Sequence, residues 1–176
     1  MTNDARDLYV ELHIPPEWSR IDPVRQAVGL CVAAVLGSED LRDALGMVCA
    51  ELLENAIKYG RSDPRGVRLV LRQSAQDNQK VVTLSVINAV ESASHHLAVL
   101  QQRIDWIRGY DSPAEAYMAA LTTVYERAEA QGGEGGLGLV RIAYEGGCQL
   151  DCDSPAEGYM AVHARYIMPS PGKDHP

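Results

Sequence analysis

The sequence predicts an α/β fold of two layers, a mixed and mostly antiparallel sheet with helices on one face. Two observations carry this. Five short runs alternate apolar and polar residues or are rich in β-branched ones: "LYVELHI", "GVRLVLRQ", "KVVTLSVIN", "CQLDCD" and "GYMAVHARYIM". Five other segments repeat apolar residues at helical spacing. One layer of helices on one sheet is the simplest way to bury both kinds of apolar face.

The chain-level figures agree with a globular fold. At 176 residues and 46% hydrophobic content, the chain suits one domain with a sizeable core. We assign that domain to residues 1–168 and treat the Pro- and Gly-rich 169–176 as a flexible tail. The net charge is −8 and the pI about 5.0, with no cluster of Lys and Arg. Nucleic acid and anionic membrane, which need a basic face, are therefore not expected as partners. Runs such as "GLCVAAVLG" are too short to span a bilayer. Cys31, Cys49, Cys148 and Cys152 form no CxxC pair, and free thiols in a reducing cytoplasm are expected.

After the first strand run, Pro15-Pro16 stops it. "DPVRQAVGLCVAAVLG" follows, with Asp22 expected as N-cap, Pro23 at the first helical position and Gly37 as terminator. Ser38 is expected to cap "EDLRDALGMVCAELLENAIKYG", in which Leu41, Leu45, Val48, Leu52 and Tyr59 form the stripe to be buried and Gly60 ends the helix. The next two strand runs are separated by a polar turn and read as an antiparallel pair. Two helices come next, striped by Leu97, Leu100, Ile104 and Ile107 in the first and by Tyr117, Leu121, Tyr125 and Ala128 in the second. Then come "GGEGGLG", a short helix "LVRIAYEGG" and the two closing strands. "DSPAEAYMA" at 111–119 returns as "DSPAEGYMA" at 153–161. Ser112, Pro113 and Glu115 give the first copy a capped helix start, while Gly158 makes the second a turn.

Two stretches carry chemistry. In "ELLENAIKYG", Glu51, Asn55 and Lys58 are spaced four and three residues apart and project in nearly the same direction, beside the apolar stripe. Asp40, Asp43 and Glu54 share that side, so the triplet by itself also fits the solvated face of an amphipathic helix. "GGEGGLGLVRIA" places glycines at 132, 133, 135, 136 and 138 directly before a helix, where bare backbone N–H groups can approach phosphate oxygens. By itself that run is equally a hinge. An amide able to chelate Mg²⁺, a carboxylate four residues before it and a glycine cradle together read as a nucleotide site.

"ELLENAIKYG" resembles the N-box of the GHKL ATPases, and "GGLGL" resembles their second glycine box. The opening strand and two helices look most like the anti-sigma-factor serine kinases of bacterial partner-switching systems. The second half is similar to the SiaB-like kinases of the same kind. The resemblance covers about Leu8 to Met168 and implies a Bergerat-type sandwich in which residues 89–134 form the ATP lid. It further implies that Asn55 coordinates Mg²⁺ and that Glu51 is the general base toward a Ser/Thr hydroxyl or water. Lys58 would meet a phosphate oxygen, Tyr59 would lie near the ribose or adenine, and Gly135, Gly136 and Gly138 would cradle phosphate.

One box departs from the family. Where it carries an Asp followed by spaced glycines, this chain has "VINAVESAS", with Asn88 at the acid's place. An amide oxygen can accept from the adenine amino group, but roughly half as strongly as a carboxylate. No phosphoacceptor-histidine helix is visible, and His95-His96 reads as solvated. Two functions follow. One is an ATP- and Mg²⁺-dependent Ser/Thr protein kinase acting on a small STAS-domain, anti-sigma-antagonist-like protein. The other is a non-catalytic docking relative with weak or no ATP binding. The apolar stripes of the insert must pack on the domain or on a second copy of the chain, so a homodimer is also an expectation.

Overall fold

The structure, a computed structural model, describes residues 8–76, 79–131 and 137–169. Five strands form one sheet: β1 (Tyr9–Ile14), β2 (Val67–Gln76), β3 (Gln79–Ala89), β4 (Gln149–Asp153) and β5 (Tyr159–Ile167). Their order is β1-β2-β3-β5-β4. Every pairing is antiparallel, so the sheet is not mixed among the described residues. The helices are α1 (Ile21–Leu36), α2 (Glu39–Tyr59), α3 (Ala93–Arg108), α4 (Pro113–Gln131) and α5 (Gly138–Tyr144). They make the second layer of a two-layer α/β sandwich.

Strand alternation decides which face the helices cover. On β2, Val67, Leu69 and Leu71 are buried while Arg68 and Arg72 are exposed. On β3, Val82, Leu84 and Val86 are buried, and the register sets Leu69 opposite Val86 and Leu71 opposite Leu84. These side chains join Leu45, Leu52 and Leu53 of α2 in one hydrophobic cluster. Each full burial of such a side chain stabilises by about 1.5–3 kcal/mol. Ser38 caps α2 as expected, its Oγ accepting from the Leu41 N–H at 3.2 Å. Gly37 ends α1 with φ +67°.

Three local expectations are corrected. Helix α1 begins at Ile21, running on from a 3₁₀ turn at Trp18–Arg20, so Asp22 lies inside the first turn. There its carboxylate accepts from Arg25 and Gln26 rather than capping the helix. Tyr59 is 47% exposed and leaves the buried stripe of α2, which Cys49, Leu53 and Ala56 complete instead. On α4 the buried line is Ala116 and Ala120, with Tyr117 and Leu121 half-buried and Tyr125 exposed. Small alanines let α4 lie close to its neighbours, and a pattern read from large side chains passes over them.

The insert helices pack on their own domain. Ile104 and Ile107 of α3 and Ala116 and Ala120 of α4 belong to the same cluster as the sheet and α2. No helix among the described residues is long and apolar enough to cross a membrane.

The repeated nonapeptide takes two different structures. In the first copy Ala116 is fully buried in α4, whose start is capped by Ser112 Oγ accepting from the Glu115 N–H at 3.3 Å. In the second, Gly158 takes φ +74° and turns the chain into β5. Tyr159 is then held by Asp63, to whose Oδ2 its hydroxyl donates at 2.6 Å, with the Arg65 guanidinium 4.6 Å above its ring. Exchanging the two residues tests what each contributes. Gly158→Ala forces a Cβ into the left-handed region at about 1–2 kcal/mol. Ala116→Gly should cost about 0.5–1 kcal/mol from the helix backbone and about 0.8 kcal/mol more for the lost buried methyl. Urea unfolding of the two variants measures both losses.

Candidate functional site

A cavity of about 610 Å³ opens where α2, α3 and α5 meet over the sheet. That volume lies in the range of small-molecule sites. Helix α2 lines it with Glu51, Asn55, Lys58 and Tyr59, the consequence of their spacing once Leu52 and Ala56 have fixed which side of the helix is buried. The ends of β3 and β5 supply Val86, Asn88, Met160 and Val162. Helix α3 adds His96, Leu100 and Arg103, and α5 adds Gly138, Leu139 and Arg141.

Glu51 is the most constrained of these groups. Its side chain is 15% exposed, and its Oε1 accepts a short hydrogen bond from Nη1 of Arg141. Burial pushes the Glu51 carboxyl above its ordinary range, and the neighbouring carboxylates Glu54 and Glu145 push the same way, while Arg141 opposes them. Arg141 is itself tied back to Glu145, with Nε and Nη2 at 3.0 and 3.2 Å from its two oxygens. At Gly138 a side chain has no room: a Cβ there would sit 2.7 Å from Glu51 Oε2 and 3.7 Å from Asn55 Nδ2. The glycine therefore lets the backbone of α5 come up against the acid and the amide together.

Asn88, 4% exposed, is the one buried polar side chain among the described residues. Its amide nitrogen donates to the carbonyls of Ala89 at 3.2 Å and Ala56 at 3.5 Å. Two acceptors on that side fix the orientation of the amide and direct its oxygen away from them. Lys58 Nζ stands 5.4 Å from the centre of the Tyr59 ring.

Glu51, Asn55, Lys58, Tyr59, Asn88 and Gly138 thus line one cavity, although in sequence Asn88 lies 29 residues after Tyr59 and Gly138 another 50 beyond it. Gly135 and Gly136 lie outside the described residues. His96, expected to be solvated, is half-buried and lines the cavity, because α3 packs against the sheet and turns that face inward. Sequence reasoning missed Arg141 and Arg103. The first stands ninety residues from Glu51 in a helix that showed only its apolar spacing. The second, like His96, follows the Leu100 stripe of α3 at helical spacing, which was a usable signal.

No family model and no curated protein matches this chain. A solved structure does. Superposed on a chain from the crystal structure of the SiaB–SiaC complex of Pseudomonas aeruginosa, the protein gives a TM-score of 0.60. The match covers 93% of this chain and 92% of that one at 19% identity, a likeness of fold.

The orientation of Asn88 makes a test of its own. In Asn88→Asp the new carboxylate would face the Ala56 and Ala89 carbonyls with nothing to donate. The loss should be on the order of 1–3 kcal/mol or more at neutral pH, as for a buried group left unsatisfied. Such a carboxyl has its folded-state pKa raised, so the folded state holds the proton more tightly than the unfolded one. The deficit should therefore shrink as pH falls through that raised value. Denaturant unfolding of both proteins from pH 7 to pH 4 measures it, and a deficit that is constant over that span would contradict the assigned amide orientation.

Proposed function

We propose that this protein is an ATP-binding Ser/Thr protein kinase of a bacterial partner-switching module, built on the GHKL fold and acting on a small STAS-domain, anti-sigma-antagonist-like protein. The observation that carries this is the meeting of Glu51, Asn55 and Gly138 in one cavity with Lys58 at its side. The fold likeness to a chain from a two-protein complex adds support for a protein partner.

The residues present fit the nucleotide and its metal. Gly138 lets the backbone of α5 approach an acid and an amide that a Cβ would crowd. Asn55, through its side-chain oxygen, would hold Mg²⁺, which when bound neutralises phosphate charge. Lys58 would bind a phosphate oxygen, and the Asn88 oxygen would accept from the adenine amino group. In the transfer itself, the hydroxyl oxygen of the partner's Ser or Thr bonds to the γ-phosphorus, the bond from that phosphorus to the bridging oxygen breaks, and ADP departs. The hydroxyl proton goes to Glu51. A carboxylate raised by burial is better matched to that task than an ordinary surface glutamate, and such help is worth about a hundred- to ten-thousand-fold in rate.

A second reading, a non-catalytic docking protein, is favoured by one feature, the neutral Asn88 where the resembling family carries an acid. Two variants separate the readings. Glu51→Gln should leave Mg²⁺-dependent ATP binding within about two-fold and cut labelled-phosphate transfer to the partner by about two to four orders of magnitude. Asn55→Ala should lose binding and transfer together. Calorimetry with ATP, with and without Mg²⁺, runs beside the transfer assay on a STAS-domain partner. No transfer by the wild type, with partner binding equal in all three proteins, would establish the docking reading instead.

A further inference from the structure

We propose that Arg141 is the positioning residue of this cavity, holding Glu51 by Oε1 while itself anchored on Glu145, so that Oε2 lies against Gly138 and faces the incoming group. The proposal deepens the phosphotransfer reading and rests on it for the role given to Glu51, but the geometry stands apart from any activity. One guanidinium spans two carboxylates on two elements: Nη1 to Glu51 on α2, and the Nε and Nη2 edge to Glu145 just past the end of α5. The side-on pair with Glu145 at 3.0 and 3.2 Å fixes the plane of the guanidinium, and a fixed plane gives Nη1 a fixed direction. Glu51 is therefore held by one N–H of a guanidinium whose plane is fixed on Glu145, not by a swinging point charge.

The surroundings leave this work to Arg141 alone. Of the charged groups near Glu51, Glu54 on the same helix and Glu145 repel it. Lys58 of α2 and His96 and Arg103 of α3 line the same cavity, yet none makes a hydrogen bond or ion pair with Glu51 among the described residues. The strands present only uncharged Val86, Asn88, Met160 and Val162. Tyr117 of α4 packs beside this pair, its ring 5.1 Å from that of Tyr144 at the end of α5. The line Glu51, Arg141, Glu145 joins α2 to α5. A general base misplaced by about 1 Å costs on the order of a hundred-fold in rate, so the arrangement matters for chemistry and not for nucleotide affinity.

The test uses the full chain in three forms beside the wild type: Arg141→Met, Arg141→Lys and Glu145→Gln. The first readout needs no activity. The side-chain carboxyl signal of Glu51, assigned through Glu51→Gln in ¹³C-labelled protein, should be distinct from that of exposed Glu54 in the wild type and should shift in Arg141→Met, where the acid stays buried but loses its donor. Arg141→Lys should lie between, because ammonium keeps the charge but not the plane fixed on Glu145. Glu145→Gln, which leaves Arg141 in place but loosens it, should move the signal the same way by less, and it serves where Arg141→Met does not fold. The second readout is transfer kinetics, with kcat expected to fall about ten- to a hundred-fold in Arg141→Met while KM for ATP stays within about two-fold. If the Glu51 signal is unmoved by Arg141→Met and by Glu145→Gln, the proposal is wrong whether or not the protein is a kinase. If the signal moves as stated and no form transfers phosphate, positioning stands and the kinase reading falls.

Discussion

The buried side of α2 is the constraint on which the site depends. Leu45, Val48, Leu52, Leu53 and Ala56 are all buried, and they leave one rotation of the helix compatible with the core. A rotation of one residue, about 100°, would expose leucines, each worth about 1.5–3 kcal/mol in burial. The orientation the core selects is also the one that points Glu51, Asn55 and Lys58 into the cavity. The triplet therefore needs no interactions of its own to be aimed, since the hydrophobic stripe beside it does the aiming. Site and core are specified by the same helix at neighbouring positions, and this lets a polar edge survive at the margin of an apolar face.

The layers and most elements were legible because they rest on periodicity. Strand alternation in β2 and β3 gives both the buried set and the antiparallel register, and Ser38 and Gly37 mark helix ends by local chemistry that a reader of sequence can see. Where reading failed, the deciding fact was tertiary. Asp22 has the composition of a cap, but the 3₁₀ turn before it extends the helix past it. Tyr59 fits the apolar stripe of α2 by spacing, yet at the last residue of the helix its ring is half exposed at the cavity instead of in the core. The α4 stripe was sought in tyrosines and leucines, and close approach selected alanines.

The site divides in the same way. Glu51, Asn55, Lys58 and Gly138 stand in two short stretches whose residue types suggest chemistry without any structure. Arg141 gave no such signal, because its meaning is a contact made across ninety residues. Local charge at the cavity differs from the net charge of the chain. The chain carries −8 overall, yet Lys58, Arg103, Arg141 and His96 gather at this one surface, opposed there by Glu51 and Glu54. Screening confines charge effects to about 8 Å at physiological salt, so a bound anion responds to those neighbours and not to the acidic exterior.

Asn88 brings these arguments together. An acid at that position would need donors around it, and the structure offers carbonyls, those of Ala56 near the end of α2 and of Ala89 at the end of β3. An amide answers the carbonyls with its nitrogen and keeps its oxygen as an acceptor. Asn88 is thus a structural tie between the end of α2 and the end of β3 as well as a cavity residue. Replacing a charged acceptor by a neutral one weakens a hydrogen bond to a base by about half. At this position the amide also supplies a bond that holds the end of the helix carrying Lys58 and Tyr59 to the sheet.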